Sequence, residues 1–342
     1  MNRSAFLACT LALSLTAPGL GAQDREARWY RVELLVFSHK GSGAATSEAW
    51  DPLPALRYPE GFRFLRDLDR EASDREAWPD AQSTIDERGV HTIVVPETSN
   101  NDSDRLADQD IPPADNSAPA VTGIADEELP PARPTPWVML PASELEFRGK
   151  AAYMERSGRY ETLLHESWVQ PMSSDVDSLP IVIDRSGDVE SWPRLQGSVR
   201  FYLSRYLHLE TNLWLNTAGT YIPGSWSMPA PPLGPKSLQV IEPKLELEPE
   251  PEPEPLPQSR YDGLMSSEPE KTTDDMEAQL ALDQPRYPWR HAIILSDKRR
   301  MRSEEVHYLD HPMLGVVVKI TPLPEEALEA MAAEEAAASQ EG

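Results

Sequence analysis

Residues 199–215, VRFYLSRYLHLETNLWL, alternate between two kinds of side chain. The odd positions, which begin with Val199 and Phe201, are mostly apolar, whereas the even positions begin with Arg200 and Tyr202. Successive side chains of a β-strand point to opposite faces of its sheet, so a period of two indicates a strand with one buried and one solvated face. The pattern therefore predicts one long half-buried antiparallel strand or a pair of strands with a bend between them.

Further strands are predicted on both sides of this stretch, in segments rich in β-branched and aromatic residues. They are residues 29–37, 159–168, 180–183, 292–296, 306–309 and 314–320. The last two are expected to pair across a turn at residues 310–312, which contains Pro312. Strands joined by tight turns pair in the antiparallel sense, so most of the sheet is expected to be antiparallel.

One helix is predicted between the first two groups of strands. Ser143 and Glu146 have the spacing of a capping box, which indicates the helix start, and Gly158 indicates its end. Its packing side chains are expected to be Leu145, Ala151, Ala152 and Met154. The predicted fold class is α+β, a mainly antiparallel β-sheet with one or few packed helices, interrupted by long disordered acidic and proline-rich linkers.

The linkers are predicted from composition. Residues 97–136 are dense in Pro, Asp and Asn, and residues 229–283 contain the alternating Glu-Pro run 248–255, so both are expected to be disordered spacers. Residues 325–342 form an acidic, alanine-rich tail that is expected to be a fraying exposed helix. The remaining parts, 29–96, 137–228 and 284–324, are expected to form one interrupted domain.

The N-terminus has the features of a secretory signal peptide over residues 1–22: a short polar start with Arg3, an apolar run and a small-residue cleavage site. The apolar run is too short to span a membrane. Its cysteine, Cys9, precedes most of the run, which favours cleavage over the alternative of lipidation at a lipoprotein box. The mature chain is therefore expected in the periplasm, without a transmembrane segment and without a disulfide.

Charge and motifs exclude several functions. The chain has 57 acidic and 32 basic side chains, a formal net charge of −25, which disfavours binding to nucleic acid. The sequence lacks the common serine-hydrolase, zinc-protease and phosphate-loop motifs, so no catalytic residue, metal or cofactor is expected. His165 and Glu166 begin a zinc-protease motif but lie in a predicted strand. His307 and His311 are expected to be surface or turn-capping residues, since extended chain separates them.

Two clusters point to binding. Arg299, Arg300 and Arg302 form the densest cationic segment, and arginine binds carboxylates with two parallel hydrogen bonds. The even face of the long strand carries one arginine and three aromatic rings as candidate platforms for sugars, namely Arg200, Tyr202, Tyr206 and Trp214. The alternative interpretation is structural: the arginines pair with nearby carboxylates, and the rings pack against other elements.

Four sequence blocks resemble the CsiV family of periplasmic proteins of gammaproteobacteria. They are WYRVELLVF at 29–37, YETLLHESWVQP at 160–171, GSVRFYLSRYLHL at 197–209 and RRMRSEEVHYLDHP at 299–312. The resemblance implies a non-enzymatic, peptidoglycan-binding protein. It also implies a role in cell-wall synthesis together with the outer-membrane lipoprotein LpoA, which activates a class A penicillin-binding protein.

The leading hypothesis is thus a binding module for peptidoglycan or for LpoA. The candidate contacts are Arg200, Tyr202, Arg205, Tyr206, Arg299, Arg300, Arg302 and Tyr308. Arg205 falls on the apolar phase of the strand, so a buried structural arginine is the alternative for that residue. Two other functions stay open: a wall hydrolase that uses two carboxylates, and a spacer whose linkers carry the function.

Overall fold

The structure is a computed structural model that describes residues 27–41, 48–96, 132–243 and 286–341. The predicted signal peptide lies outside these ranges, as do most of the predicted insertion at 97–136 and most of the predicted linker at 229–283.

Twelve strands and four α-helices are found among the described residues. The strands are β1 (Trp29–His39), β2 (Arg63–Phe64), β3 (Gln82–Ile85), β4 (His91–Val94), β5 (Tyr160–Pro171), β6 (Ile181–Val182), β7 (Leu195–Leu203), β8 (Leu207–Thr217), β9 (Leu238–Ile241), β10 (His291–Met301), β11 (Val306–Asp310) and β12 (Leu314–Pro322). The helices are α1 (Leu68–Ala77), α2 (Arg148–Arg156), α3 (Ser186–Val189) and α4 (Glu325–Glu341).

The strands form three sheets. The first has the order β11-β12-β1-β5 and is antiparallel throughout. The second has the order β10-β8-β7-β6-β2, in which only β6 and β2 run parallel. The third is small, with the order β3-β4-β9. The predicted α+β class with a mainly antiparallel sheet is confirmed, whereas α1 and the third sheet were not predicted.

The alternating stretch at 199–215 forms a pair of strands, the second of the two predicted alternatives. β7 and β8 pair antiparallel around a turn at residues 204–206. Most of its odd side chains are buried, among them Phe201 and Leu209, whereas Arg205 in the turn is exposed. The predicted pairing of β11 with β12 is also confirmed.

The main core lies between the first and second sheets, which pack face to face. Val32, Leu34 and Val36 of β1 share one buried cluster with Phe201 and Leu209. Each fully buried side chain of this kind stabilises the fold by roughly 1.5–3 kcal/mol relative to exposure. A smaller cluster on the outer face of the first sheet joins Leu35 and Phe37 to α2 through Phe147 and Ala151. Part of the outer face of the second sheet is covered by a third cluster, in which Trp214 and Ala292 pack with Met228.

The start of α2 corrects the predicted capping box. The helix begins at Arg148, with Phe147 as its N-cap and without a side-chain cap; residues 142–144 form a separate 3₁₀ turn. The buried carboxylate of Glu33 accepts hydrogen bonds from the backbone N–H groups of Glu146 and Phe147 instead. A residue distant in sequence thus satisfies the free donors that a local cap would satisfy. Gly158, with φ +70°, follows the helix end as predicted.

The C-terminal tail is helical, as predicted, and Leu328 of α4 is buried. The predicted linker at 229–283 needs one correction, because β9 lies inside it and pairs parallel with β4. Within the described ranges, no helix is both long enough and apolar enough to cross a membrane.

Candidate functional site

The outer face of the second sheet presents polar side chains in rows that cross β7, β8 and β10. The pairing register aligns Arg200, Glu210 and Lys298 in one row. The next row aligns Ser198, Asn212 and Ser296. Because all six are even-numbered positions, they point away from the core that the odd positions fill. These two rows of the even face are therefore polar, whereas Trp214 and Gln196 on the same face are buried.

This surface is the floor of an open groove of about 550 Å³. Residues 57–59 form one wall, and Pro180 contributes to the other. The Asn212 side-chain amide donates to the backbone oxygen of Arg57 at 2.8 Å and so fixes the first wall to the floor. A volume of this size accommodates a ligand of several hundred daltons.

The charges on the floor are paired. Arg200 binds Glu210 and Asp175, each at 2.7 Å, and Lys298 binds Glu210 at 2.8 Å. Burial alone would raise the pKa of Glu210, but the hydrogen bonds from Lys298 and Arg200 outweigh it and hold the pKa below 4.5. The side chain of Arg57, by contrast, has no ion-pair partner among the described residues. The groove thus combines a fixed ionic network with one available guanidinium.

Two of the aromatic candidates are buried. Tyr202 is 1% exposed, lies below Arg200 and Lys298, and stacks on His208 with 4.9 Å between ring centroids. Trp214 is fully buried and packs edge-on against Tyr58. A sugar platform needs an exposed ring face, which neither Tyr202 nor Trp214 presents. Their role in the groove is to support its floor.

The end of the β7–β8 hairpin brings three other candidates together. The guanidinium of Arg300 lies 3.7 Å from the ring centroid of Tyr206, and that of Arg205 lies 5.5 Å from it. Tyr206 is 38% exposed. Arg205 is exposed in the turn, so the alternative of a buried arginine is wrong. The strand phase does not apply there because residues 204–206 leave the strand.

The remaining candidates lie apart from the groove. Arg299 donates to the backbone oxygen of Tyr308 at 3.0 Å, while Arg302 pairs with Glu305 at 3.3 Å. Tyr308 stacks on Phe37 of β1 on the outer face of the first sheet. Arg299 and Arg300 are consecutive in β10 and therefore point to opposite faces. The predicted arginine cluster is thus divided among three places.

The histidines follow the structural interpretation. His311 accepts a hydrogen bond from the backbone N–H of Met313 at 3.2 Å, and the ring of His307 contacts the backbone of Arg302. His165 lies in β5 and binds Glu33 at 2.9 Å. No group of three or more metal-ligating side chains with suitable geometry is present in the part of the chain that the structure describes.

Several groove residues were missed from sequence. Lys298 was missed because the predicted strand ended at residue 296, whereas β10 continues to Met301. Arg57 and Tyr58 lie in an extended segment without a regular pattern, and only the fold brings them to β8. Continuing the period of two beyond residue 296 would have found Lys298, whereas no local signal marks Arg57.

The comparisons with known proteins give one match. No curated protein and no solved structure shows significant similarity to the chain. The model of the CsiV family, which is described as "Peptidoglycan-binding protein, CsiV", matches residues 6–323. That match spans all three sheets and nearly the whole sequence, so the chain belongs to the CsiV family.

Proposed function

We propose that this protein is a non-enzymatic peptidoglycan-binding protein of the periplasm and that it binds the wall through the groove over β7, β8 and β10. The observation that carries this proposal is the polar groove of about 550 Å³ on an exposed sheet face, in a member of a family described as peptidoglycan-binding.

The chemistry of the groove suits peptidoglycan. The exposed Ser296 and the half-buried Asn212 offer a hydroxyl and an amide group to the hydroxyl and acetamido groups of a glycan strand. Arg57 offers a cation to the carboxylates of the peptide stems, in a chain whose formal net charge is −25. The ion pairs of Glu210 with Arg200 and Lys298 fix the shape of the floor before a ligand arrives, which lowers the entropy cost of binding.

The role with LpoA and a class A penicillin-binding protein is a further part of the proposal. Its support is the resemblance of the four sequence blocks. The exposed hairpin end with Arg205, Tyr206 and Arg300 is a second surface that is free for a protein partner when the groove holds the wall. A pull-down of LpoA by the protein, with and without Arg300→Ala, tests this part: the wild type is expected to retain LpoA, and an absence of retention would contradict it.

Sedimentation with purified sacculi tests the wall-binding function. Ser296→Trp places a large side chain over the groove floor at an exposed strand position, where a tryptophan is well tolerated. Gln239→Trp makes the same change at an exposed position of β9, away from the groove, and is the matched control. We expect the wild type and Gln239→Trp to sediment with sacculi and Ser296→Trp to bind at least about tenfold more weakly.

The outcomes separate the hypotheses. Equal sedimentation of both tryptophan variants would contradict the groove as the wall site, and no sedimentation of the wild type would contradict wall binding. The supernatant is assayed for soluble muropeptides in the same experiment. We expect none; their release would contradict the non-enzymatic part of the proposal and favour the wall-hydrolase alternative.

A further inference from the structure

A second cavity, of about 210 Å³, lies between the first and second sheets at the edge where β5 faces β6. Its walls are mostly apolar. They are formed by Leu34, Leu164, Trp168, Val182 and Ile183. Asp67 and Arg70, at the start of α1, line it from outside the sheets. The cavity is separate from the groove, which lies on the outer face of the second sheet.

Glu166 enters this cavity from β5. It shares the inward-facing phase of the strand with Leu164 and Trp168, and its half-buried side chain lines the cavity beside them. Within the described part of the chain, it makes no side-chain hydrogen bond and no ion pair. Burial, followed by the nearby charge of Asp67, raises the pKa of Glu166 above 4.5. An ionised carboxylate without a partner is costly in such surroundings.

Arg185 lines the same cavity from the segment after β6. Its guanidinium donates to the backbone oxygen of Leu65 at 2.9 Å and lies over the ring of Phe64. It has no ion pair with any described carboxylate, whereas the neighbouring Arg70 binds Asp188 at 3.0 Å. Burial, followed by the charge of Arg70, lowers the pKa of Arg185. Arg185 and Glu166 therefore line a single small cavity without ion-pair partners among the described residues. Asp67 lines it too, but its carboxylate accepts a hydrogen bond from the backbone N–H of Arg70 at 3.2 Å.

We propose that this cavity binds a zwitterionic amino-acid group, whose ammonium pairs with Glu166 and whose carboxylate pairs with Arg185. Such a ligand supplies both missing charges at once, while its aliphatic part contacts Leu34, Leu164 and Ile183. A volume of about 210 Å³ fits one amino acid and excludes a disaccharide. Glu166 and Arg185 are half-buried and lack an ion-pair partner in the free protein, and a ligand that carries both charges supplies one to each.

A source of this group follows if the proposed wall-binding function is correct, and the identity of the ligand rests on that function. Peptide stems of the wall that contain diaminopimelic acid carry a free amino-carboxylate end wherever this residue is not cross-linked. The end is a zwitterion on a short aliphatic chain, which is the chemistry that the cavity presents. The groove and the cavity would then contact different parts of one polymer.

Calorimetry with the full-length protein tests the site directly. The probe is meso-diaminopimelic acid, and the controls are pimelic acid, which lacks the ammonium groups, and cadaverine, which lacks the carboxylates. We expect saturable binding of diaminopimelic acid and at least about tenfold weaker binding of both controls. Glu166→Gln and Arg185→Met are each expected to weaken binding by at least about tenfold. Glu155→Gln, which changes an exposed carboxylate of α2, should leave it unchanged.

A measurement on the wild type keeps the test independent of variant folding. In methyl NMR spectra, diaminopimelic acid should shift the signals of Leu34, Leu164 and Ile183, and leave that of Ile241 in β9 in place. The absence of these shifts, equal binding of all three small molecules, or full affinity in Glu166→Gln would overturn the proposal.

The two proposals fail separately. If sacculi sediment the wild type but diaminopimelic acid does not bind, the cavity proposal fails alone. If diaminopimelic acid binds in the cavity but sacculi do not sediment the wild type, the wall-binding function fails, and the cavity is a site for a free amino acid.

Discussion

Two glutamates in neighbouring strands of the first sheet, Glu33 and Glu166, lie on opposite faces of that sheet. Glu33 in β1 pairs with Ser167 in β5, and Leu34 pairs with Glu166. On the outer face, Glu33 accepts hydrogen bonds from Phe147 N at 2.8 Å, Glu146 N at 2.9 Å and the ring of His165 at 2.9 Å. On the inner face, Glu166 has no such donor among the described residues.

The pKa values of these glutamates move in opposite directions. Burial alone would raise the pKa of Glu33, but the hydrogen bonds from His165, Phe147 and Glu146 outweigh it and hold the pKa below 4.5. Burial and the charge of Asp67 raise the pKa of Glu166. Hydrogen-bond donors, rather than the degree of burial, thus decide whether each of these carboxylates stabilises the fold. Glu33 fixes α2 to the sheet, while Glu166 has no hydrogen bond among the described residues that offsets its burial.

Loss of Glu33 is expected to have the largest effect. Glu33→Gln replaces an acceptor of three hydrogen bonds by an amide whose NH₂ group faces N–H donors, so about 3 kcal/mol of the free energy of unfolding should be lost. Urea denaturation at pH 7 measures the loss. The effect should shrink as the pH falls through the lowered pKa of Glu33, because protonation removes its stabilising charge in the wild type too. A loss below about 1 kcal/mol would show that α2 does not depend on this carboxylate.

Loss of the side-chain donor is expected to have an intermediate effect. His165→Leu removes one of the three hydrogen bonds to Glu33 and leaves the two backbone donors, so about 1.5 kcal/mol should be lost. In the Glu33→Gln background the same change should cost much less, because the partner is already altered. Additive losses in this double-mutant cycle would contradict a direct coupling of the two side chains.

Glu166 should respond in the opposite sense. Glu166→Gln removes an unpaired charge without changing the shape of the side chain, so the free energy of unfolding at pH 7 should rise by about 1 kcal/mol. Glu155→Gln on the exposed face of α2 is the control and should change it by less than about 0.5 kcal/mol. Destabilisation by Glu166→Gln would mean that the carboxylate has a stabilising partner in solution.

The pH dependence of the stability gained by Glu166→Gln is expected to be the smallest effect. A carboxyl whose pKa is raised binds its proton more tightly in the folded state, so its destabilising contribution is present above the raised pKa and disappears below 4.5. The difference between Glu166→Gln and the wild type should therefore close in acid. Asp67, Arg70 and Arg185 also line the cavity. The wild type and Glu166→Gln share these three residues, so the comparison between them isolates the carboxyl of Glu166. A difference that grows in acid would contradict the sign of the shift.

Local sequence patterns were sufficient to predict most strands of the first two sheets, but they did not predict the third sheet or the start of α2. The β7–β8 hairpin and the pairing of β11 with β12 follow from alternation and turns in contiguous sequence. The third sheet was missed because β9 pairs with β4 from far along the chain and both strands have only four residues. The start of α2 was placed wrongly because its donors are satisfied by Glu33 rather than by a local cap.

The candidate sites show the same limit. The even face of β7 and β8 was predicted, with Arg200 in it, because a period of two assigns side chains to faces. The burial of Tyr202 and Trp214 depends on the residues that pack over their rings, and the period of two in the sequence does not reveal these residues. Glu166 did leave a signal, since a carboxylate stands between Leu164 and Trp168 on an apolar phase. Its cavity with Arg185 appears only when β5 and β6 face each other.

The most direct test of this account is a carboxyl NMR titration of Glu33 and Glu166, without and with saturating meso-diaminopimelic acid. The account predicts a pKa below 4.5 for Glu33 in both samples. For Glu166 it predicts a pKa above 4.5 in the free protein that falls when the ligand is bound, because an ammonium group then stabilises the ionised form. A pKa of Glu166 at or below 4.5 in the free protein, or one that the ligand does not move, would contradict it.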